Sequence, residues 1–191
     1  MPNSPKETRA GKRERLIESA KGLIHEQGVH RTTLADVAER ADVPPGNVYY
    51  YFKTKDELIA AVLHGYQAQA QALIEGFERN RSPQARLKAL VRSWADMRDV
   101  VARYGCPMGS LCVEVDKIEG GADREAAAVI ARIIDWAEDQ FRQFGRRDAR
   151  DLAFALFSGI QGAALLANAF RDPTILARQG RHLERWIDSL D

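Results

Sequence analysis

The most constraining feature of this chain is residues 32–58, where two short helical patterns are separated by a turn of a few residues. The first pattern places apolar side chains at helical spacing on one face: Leu34, Val37, Ala38 and Ala41. Thr32 or Thr33 can cap this helix, because a hydroxyl accepts a hydrogen bond from an unpaired backbone N–H. The segment therefore predicts a short helix with a defined start.

Prolines mark the turn that follows. Asp42 and Val43 end the first helix, because the residue before Pro44 is disfavoured in the helical region. Pro45 suits the first position of a second helix, where a missing N–H costs little. Two helices joined so closely form a helix-turn-helix, which can place its second helix in the major groove of DNA.

The second helix, over residues 45–51, is the predicted recognition helix. Gly46 lets the backbone come close to a phosphate or to a neighbouring helix, because it has no side chain. Val48 and Phe52 are spaced to point into the core. The remaining side chains of the helix are therefore free to meet DNA.

Its polar and aromatic side chains divide into two groups. Asn47 and Tyr50 are the predicted base readers, since asparagine pairs with adenine and an aromatic edge can touch a thymine methyl. Tyr49 and Tyr51 are predicted to donate to phosphates. The alternative is that the tyrosines are ordinary core and surface aromatics. The complete set of predicted DNA-binding residues is Thr33, Pro45, Gly46, Asn47, Tyr49, Tyr50, Tyr51, Lys53 and Lys55.

These residues resemble the TetR family of bacterial transcriptional regulators over about a quarter of the chain. The matching positions are Ile17, Ala20, Gly28, Thr32, Thr33, Ala38, Ala41, Val43, Gly46, Val48, Tyr49, Tyr51, Phe52, Lys55 and Leu58. Two departures are visible, because Asp42 stands where the family usually turns on glycine and Pro44 where it often caps with serine. Aspartate tolerates the left-handed conformation, so neither departure breaks the fold.

Length and pattern predict an all-α protein of about nine helices with two units. Residues 1–54 form the predicted helix-turn-helix domain with a mobile basic arm over residues 1–15. The family resemblance implies that residues 55–191 form a ligand-binding and dimerisation domain. The predicted helices beyond the helix-turn-helix cover about 8–27, 55–79, 83–104, a short one after Pro107 ended by Gly120 and Gly121, 123–144, 148–170 and 173–190.

Charge and cysteine content limit the class of protein. Residues 1–55 carry ten Lys/Arg against seven Asp/Glu, whereas the rest carries eighteen against twenty, which permits DNA binding by the first unit. The polar N-terminus is no secretory signal, and two cysteines form no disulfide framework, so a cytoplasmic protein is expected. No pair of histidines or cysteines has metal-ligand spacing, and neither a metal, a cofactor nor an enzymatic activity is predicted.

The uncharged stretch 152–170 is long enough to span a membrane. Its polar side chains would be costly in lipid, so a buried helix is favoured. A homodimer is favoured over packing within the chain alone, because helix-turn-helix heads that read DNA need two half-sites, and the small residues of this stretch would allow another helix to approach closely. Gly159 and Ala163 are expected at that contact. The predicted interface is Phe154, Ser158, Gln161, Leu165, Asn168, Leu183 and Ile187.

In the family that the chain resembles, such a body encloses an apolar ligand pocket. The candidate lining residues are mainly aromatic and sulfur-containing, and plain core packing is the alternative for each. They are Trp94, Met97, Cys106, Met108, Leu111, Trp136, Phe157 and Gln161.

Cys106 directly precedes Pro107 and is predicted to occupy a helix N-cap, where free N–H groups would lower the thiol pKa. The alternative is a small buried turn residue. The sequence thus predicts a homodimeric repressor that binds a palindromic operator and responds to a small molecule or an electrophile. A thiol-based redox protein using Cys106 and a non-sensing architectural DNA binder are the alternatives.

Overall fold

The computed structural model describes residues 9–115 and 122–190, which form ten helices and no strand. The all-α fold class is therefore confirmed. In chain order the helices are α1 (Arg9–Gln27), α2 (Leu34–Arg40), α3 (Pro45–Tyr51), α4 (Lys55–Glu78), α5 (Pro83–Asp96), α6 (Arg98–Tyr104), α7 (Pro107–Val115), α8 (Ala122–Gln143), α9 (Ala149–Phe170) and α10 (Pro173–Asp188).

The helix predicted over residues 83–104 is two helices, α5 and α6. Met97 separates them, with φ −87° and ψ 6°, and its amide donates to the carbonyl of Trp94 at 3.1 Å. This tighter turn interrupts the regular α-helical ladder between α5 and α6. Apolar periodicity continues through the break, so the sequence pattern alone did not reveal it.

Helices α1 to α3 and the first turns of α4 form a small head around an apolar core. Leu16, Ala20, Val37, Val48 and Phe52 are each at most 2% exposed. The sequence predicts Val37, Val48 and Phe52 in this core, because each short helix of the helix-turn-helix has only one apolar face to bury.

The remaining helices form a body in which α8 packs against α4, α5, α7 and α9. Helix α10 closes the other side by packing on α5, α6 and α9. Helix α9 has the length and apolar composition of a membrane span. Its inner face is buried against α6, α8 and α10, as in the core helix that the sequence favours, and its other face is exposed.

The structure corrects the extent of the predicted basic arm. Lys12, Arg13 and Arg15 lie within α1, so the segment 9–15 is helical rather than a mobile arm. The beginning of the arm, with Lys6, and the predicted helix end at Gly120 and Gly121 lie outside the described residues.

Candidate DNA-binding surface and ligand cavity

Thr33 provides a defined start for α2. Its hydroxyl accepts from the Asp36 amide at 3.1 Å, and its own amide donates to Asp36 Oδ2 at 2.9 Å. These hydrogen bonds hold the pKa of the Asp36 carboxyl below its ordinary value, and the bond from the Thr33 backbone has the largest effect. The reciprocal pair satisfies two otherwise unpaired amides, and it leaves Thr33 exposed at the edge of the helix-turn-helix.

The turn into α3 uses the two residues that depart from the family pattern. Asp42 adopts a left-handed conformation with φ 52°, and the next amide, that of Val43, returns to the carbonyl of Ala38 at 2.9 Å. Pro44 occupies the N-cap of α3 without a side-chain hydrogen bond, and Pro45 follows as the first helical residue. Both departures therefore fit the turn.

Helix α3 presents its polar and aromatic side chains to solvent. Val48 is fully buried, which anchors the helix, whereas Asn47, Tyr49 and Tyr50 are exposed, the two tyrosines by 57% and 61%. Tyr51 is partly buried and meets Tyr50 edge to face at a centroid separation of 5.3 Å. Tyr51 thus has a packing role in addition to its predicted phosphate contact.

The other predicted DNA contacts lie in the first turn of this helix and after its end. Pro45, Gly46 and Lys53 are exposed, and Lys55 is partly buried with its Nζ donating to the carbonyl of His30 at 3.3 Å. The guanidinium of Arg13, in α1, lies 5.3 Å from the centroid of the Phe52 ring. The end of α3 is therefore bordered by basic groups from α1 and from the start of α4.

A second feature is a cavity of about 300 Å³ between α4, α5, α7 and α8. Its wall is mostly apolar. The lining residues are Tyr66, Gln69, Ala70, Leu73, Ile74, Phe77, Leu90, Ser93, Trp94, Asp96, Met97, Pro107, Met108 and Ile133. This volume and this lining are typical of a site for a small organic molecule.

The sequence predicted only some of the residues that line the cavity. Trp94, Met97 and Met108 line the cavity as expected. The face of α4 contributes six lining residues that the prediction missed, although Tyr66, Ala70, Ile74 and Phe77 recur at helical spacing. That periodicity was the available signal, but it is equally typical of ordinary core packing.

Five of the predicted lining residues lie behind the wall or beside it, which corrects that prediction. Trp136 contacts Phe77 at a ring separation of 5.5 Å, and Phe157 contacts Trp94 at 6.4 Å. Leu111 is buried in the core. Cys106 and Gln161 also lie outside the lining. A helical pattern cannot distinguish such supporting residues from the surface they support.

Cys106 occupies the predicted N-cap, but its predicted reactivity is not supported. Its Sγ accepts from the Gly109 amide at 3.1 Å. Burial nevertheless raises the pKa of the Cys106 thiol, against the opposing effects of Gly109 and Gln161. Desolvation of a thiolate therefore outweighs the favourable helix N-terminus, and the expectation of a lowered pKa is wrong.

The predicted dimer residues fall into two groups. Phe154, Ser158 and Leu165 are exposed on α9. Gln161 and Asn168 face the body, and Asn168 Nδ2 donates to the carbonyl of Ala102 at 3.2 Å. Both the Leu183 and Ile187 side chains of α10 are buried within the chain.

Leu183 and Ile187 are thus corrected to intramolecular packing, whereas Gln161 and Asn168 are half-buried at the edge of the body. The exposed apolar face of α9, called here the α9 face, comprises Phe154, Ser158, Gly162, Leu165, Leu166 and Phe170.

Polar and cation–π contacts join the head to the body near the cavity. His25 Nε2 lies 2.8 Å from the carbonyl oxygen of Gly105, and the Val29 amide donates to the Glu114 carboxylate. The Lys21 ammonium lies 5.3 Å from the centroid of the Tyr66 ring, and Tyr66 also lines the cavity. The end of α1 therefore contacts two elements that form the cavity wall.

Two family comparisons cover most of the chain. Residues 16–62 match the family described as bacterial regulatory proteins, tetR family. Residues 83–183 match the family described as tetracyclin repressor-like, C-terminal domain. The first match contains the helix-turn-helix, and the second contains most of the body.

Individual relatives agree with these matches. An uncharacterised HTH-type transcriptional regulator of Mycobacterium tuberculosis is 31% identical over 188 residues, covering 91% of this chain and 94% of that protein. The HTH-type transcriptional regulator TtgR of Pseudomonas putida is 43% identical over 63 residues, covering 33% of this chain and 30% of the relative. The regulatory protein TetR from Rhodobacter sphaeroides has a similar fold, with a TM-score of 0.79 at 24% identity over 90% of this chain and 96% of that one.

Proposed function

The chain belongs to the TetR family of bacterial transcriptional regulators, and from that premise we propose a homodimeric repressor that releases its operator when a small apolar molecule fills the cavity. The observation that carries this proposal is the double role of α4. Its first turns are buried in the head, and its later turns line the cavity. A ligand that moves the later turns would move the head as well.

Binding of operator DNA is assigned to α3 and its flanks. Asn47 and Tyr50 would read bases, while Thr33, Tyr49, Tyr51, Lys53 and Lys55 would contact phosphates. Pro45 and Gly46 would bring the start of the helix close to the backbone of the duplex. The exposure of Thr33, Pro45, Gly46, Asn47, Tyr49, Tyr50 and Lys53 supports these assignments, as does burial of Val48 behind the helix, whereas Tyr51 and Lys55 are partly buried.

The α9 face is the proposed contact between two copies of the chain. Leu165 and Phe170 are each 69% exposed, and a large apolar surface of this kind favours burial against a partner. Gly162 has no neighbouring atom near its missing side chain, so a helix could approach there closely. A two-fold axis through this face would present two recognition helices to the two halves of a palindrome.

The two units of the chain are assigned different functions. We propose that residues 1–54 bind DNA and that residues 55–191 bind the ligand and the second copy, within the bacterial cytoplasm. Repression is favoured because the body matches a family described as tetracyclin repressor-like. The raised pKa of the Cys106 thiol weakens the alternative of a thiol-based redox protein.

Selection from randomised duplexes tests the proposal. The full-length protein is incubated with the duplex library, and the bound fraction is sequenced and then titrated with a panel of small apolar molecules. The expected result is an inverted repeat bound by two chains, with at least one molecule that releases it. A protein that stays monomeric at micromolar concentration and selects no inverted repeat would contradict the proposal. A dimer that no molecule releases would instead favour an architectural DNA binder.

A further inference from the structure

We infer that the ligand of the cavity is a hydrophobic cation, a compact aromatic or alkyl body with one ammonium group that lies against Asp96. This inference rests on the proposed function, because it names the chemical class of the proposed effector. It depends on the charges, the aromatic surface and the size of the cavity.

The charge of the wall is the first reason. Among the lining residues that the structure describes, Asp96 alone carries a charge, and none is Lys, Arg or His. The Asp96 carboxylate is exposed, and it forms no hydrogen bond or ion pair with the described part of the chain. A ligand carboxylate would have to give up water without any basic partner, whereas an ammonium group would gain one acidic partner.

The basic groups nearby are already engaged. Arg98 donates from Nη1 to the carbonyl of Ala95 at 3.3 Å and has its Nε 4.0 Å from Asp99. Lys21 lies over the Tyr66 ring and pairs with Glu18 at 2.7 Å, and it is not part of the lining. Their charges therefore do not make the interior of the cavity suitable for an anion.

Aromatic and sulfur-containing side chains supply the second reason. Tyr66, Phe77 and Trp94 line the cavity together with Met97 and Met108. The faces of aromatic rings attract cations, and this attraction grows as the site loses water. Burial raises the pKa of Tyr66 to about 12, so its hydroxyl is neutral at physiological pH and adds no charge. At about 300 Å³, the cavity favours a body of one ring or a short chain.

Matched probes test the class of ligand directly. We propose 3-phenylpropyl-trimethylammonium, its neutral analogue with a tert-butyl group in place of the trimethylammonium, and the anion 4-phenylbutyrate. Binding to the full-length protein is followed by tryptophan fluorescence, since Trp94 lines the cavity. The expected order is ammonium first, neutral analogue about fivefold weaker, and anion weakest.

Asp96→Asn isolates the role of the carboxylate. This change should reduce the preference for the ammonium probe over its neutral analogue to about twofold or less, while the affinity for the neutral analogue stays the same. Asp151→Asn is the matched control, since that side chain is exposed, carries the same charge and does not line the cavity. It should leave the preference unchanged.

Blocking the cavity separates the two proposals. Ala70→Leu fills it from the inside, and Leu73→Trp narrows it from a partly exposed position that tolerates the larger ring. If the neutral or anionic probe binds as tightly as the ammonium probe or more tightly, the cationic class is wrong. If either blocking change also abolishes that binding, the cavity remains the ligand site. Binding that neither folded variant weakens, or no binding of any probe, would overturn the cavity assignment and with it both proposals.

Discussion

Asn47 and Tyr49 are two residues apart on α3, and they are assigned different tasks. Both side chains are exposed, and Val48 between them holds the helix against the head. An amide that reads a base distinguishes sequences, whereas a hydroxyl that binds a phosphate does not. The two assignments therefore predict different responses to mutation.

Asn47→Ala should relax the preference at one operator position, at a cost of ~1–3 kcal/mol for the preferred base. Tyr49→Phe should weaken all duplexes by a similar factor, because it removes only a hydroxyl. Affinities for a panel of single-base operator variants measure both effects. A changed sequence profile for Tyr49→Phe, together with an unchanged one for Asn47→Ala, would show that the assignments are inverted.

At Cys106 two physical effects compete, and burial is the stronger. The Gly109 amide favours the thiolate, but removal from water disfavours it more, so the pKa is raised. Cys112 is less buried, and burial raises its thiol pKa as well. At neutral pH both thiols should therefore be largely protonated, and their reactivity should increase as pH rises above the ordinary thiol range.

We predict that iodoacetamide modifies Cys112 faster than Cys106 in the folded protein at pH 7.5. Each single-cysteine variant is alkylated over a series of pH values and analysed by mass spectrometry. Cys106→Ser should keep both DNA binding and release by a ligand. Faster modification of Cys106 at neutral pH, with loss of release in Cys106→Ser, would restore the sensor hypothesis.

Two glycines of α9, three residues apart, have opposite surroundings. A side chain built on Gly159 would meet Leu183 Cδ2 at 3.2 Å, so this glycine lets α10 pack closely within the chain. A side chain on Gly162 would meet nothing within 4 Å. The sequence predicted Gly159 and Ala163 at the dimer contact, but both belong to packing inside the body.

This pair provides a test of the α9 face with an internal control. Gly162→Leu should weaken the dimer at least tenfold and leave the fold intact, because the bulky side chain keeps the second copy away. Gly159→Leu should destabilise the fold by ~1–3 kcal/mol, because α10 must move. Light scattering and thermal unfolding measure the two effects. A dimer unaffected by Gly162→Leu would move the interface to another face.

At the scale of the whole molecule, the head and the cavity are connected along two routes. Helix α4 runs from one to the other, and α7 contributes Pro107 and Met108 to the cavity while Glu114 binds the Val29 amide at the end of α1. A ligand that displaces α7 would disturb this hydrogen bond. If both routes transmit the signal, removing one should reduce the coupling between ligand and DNA without removing either site.

Glu114→Gln tests the second route. The ratio of DNA affinities without and with ligand should fall several-fold, because a neutral amide accepts more weakly than a carboxylate. The ligand affinity of the free protein should stay the same, since Glu114 does not line the cavity. Fluorescence anisotropy with labelled operator gives the ratio. An unchanged ratio would mean that α4 alone carries the signal.

The spacing of the two recognition helices belongs to the same scale. In the proposed dimer, half-site centres should lie about 34–36 Å apart, or a multiple of that distance, so that both helices meet the major groove from one side. Inserting half a helical turn of DNA between the half-sites should abolish tight binding by the wild-type protein. Tight binding to both spacings would contradict a rigid two-fold arrangement.

The sequence by itself determined the helix-turn-helix, the caps that begin its helices and the all-α class. Those features depend on contacts between residues close in the chain, such as Thr33 with Asp36, or on the intrinsic conformational preferences of residues such as Asp42 and Pro45. Local interactions of this kind are readable from spacing and residue type, so the predictions for residues 32–58 agree closely with the structure.

Only the tertiary structure decided which apolar residues form a wall, a core or an exposed face. Trp94 lines the cavity, whereas Trp136 packs behind its wall against Phe77. Gly159 packs against α10 within the chain, whereas nothing lies near the missing side chain of Gly162. The position of Cys106 at a helix N-cap could be predicted from sequence, but the burial of its side chain could not. Burial depends on helices distant in the chain, and the periodicity within one helix does not identify the helix that will pack on each of its faces.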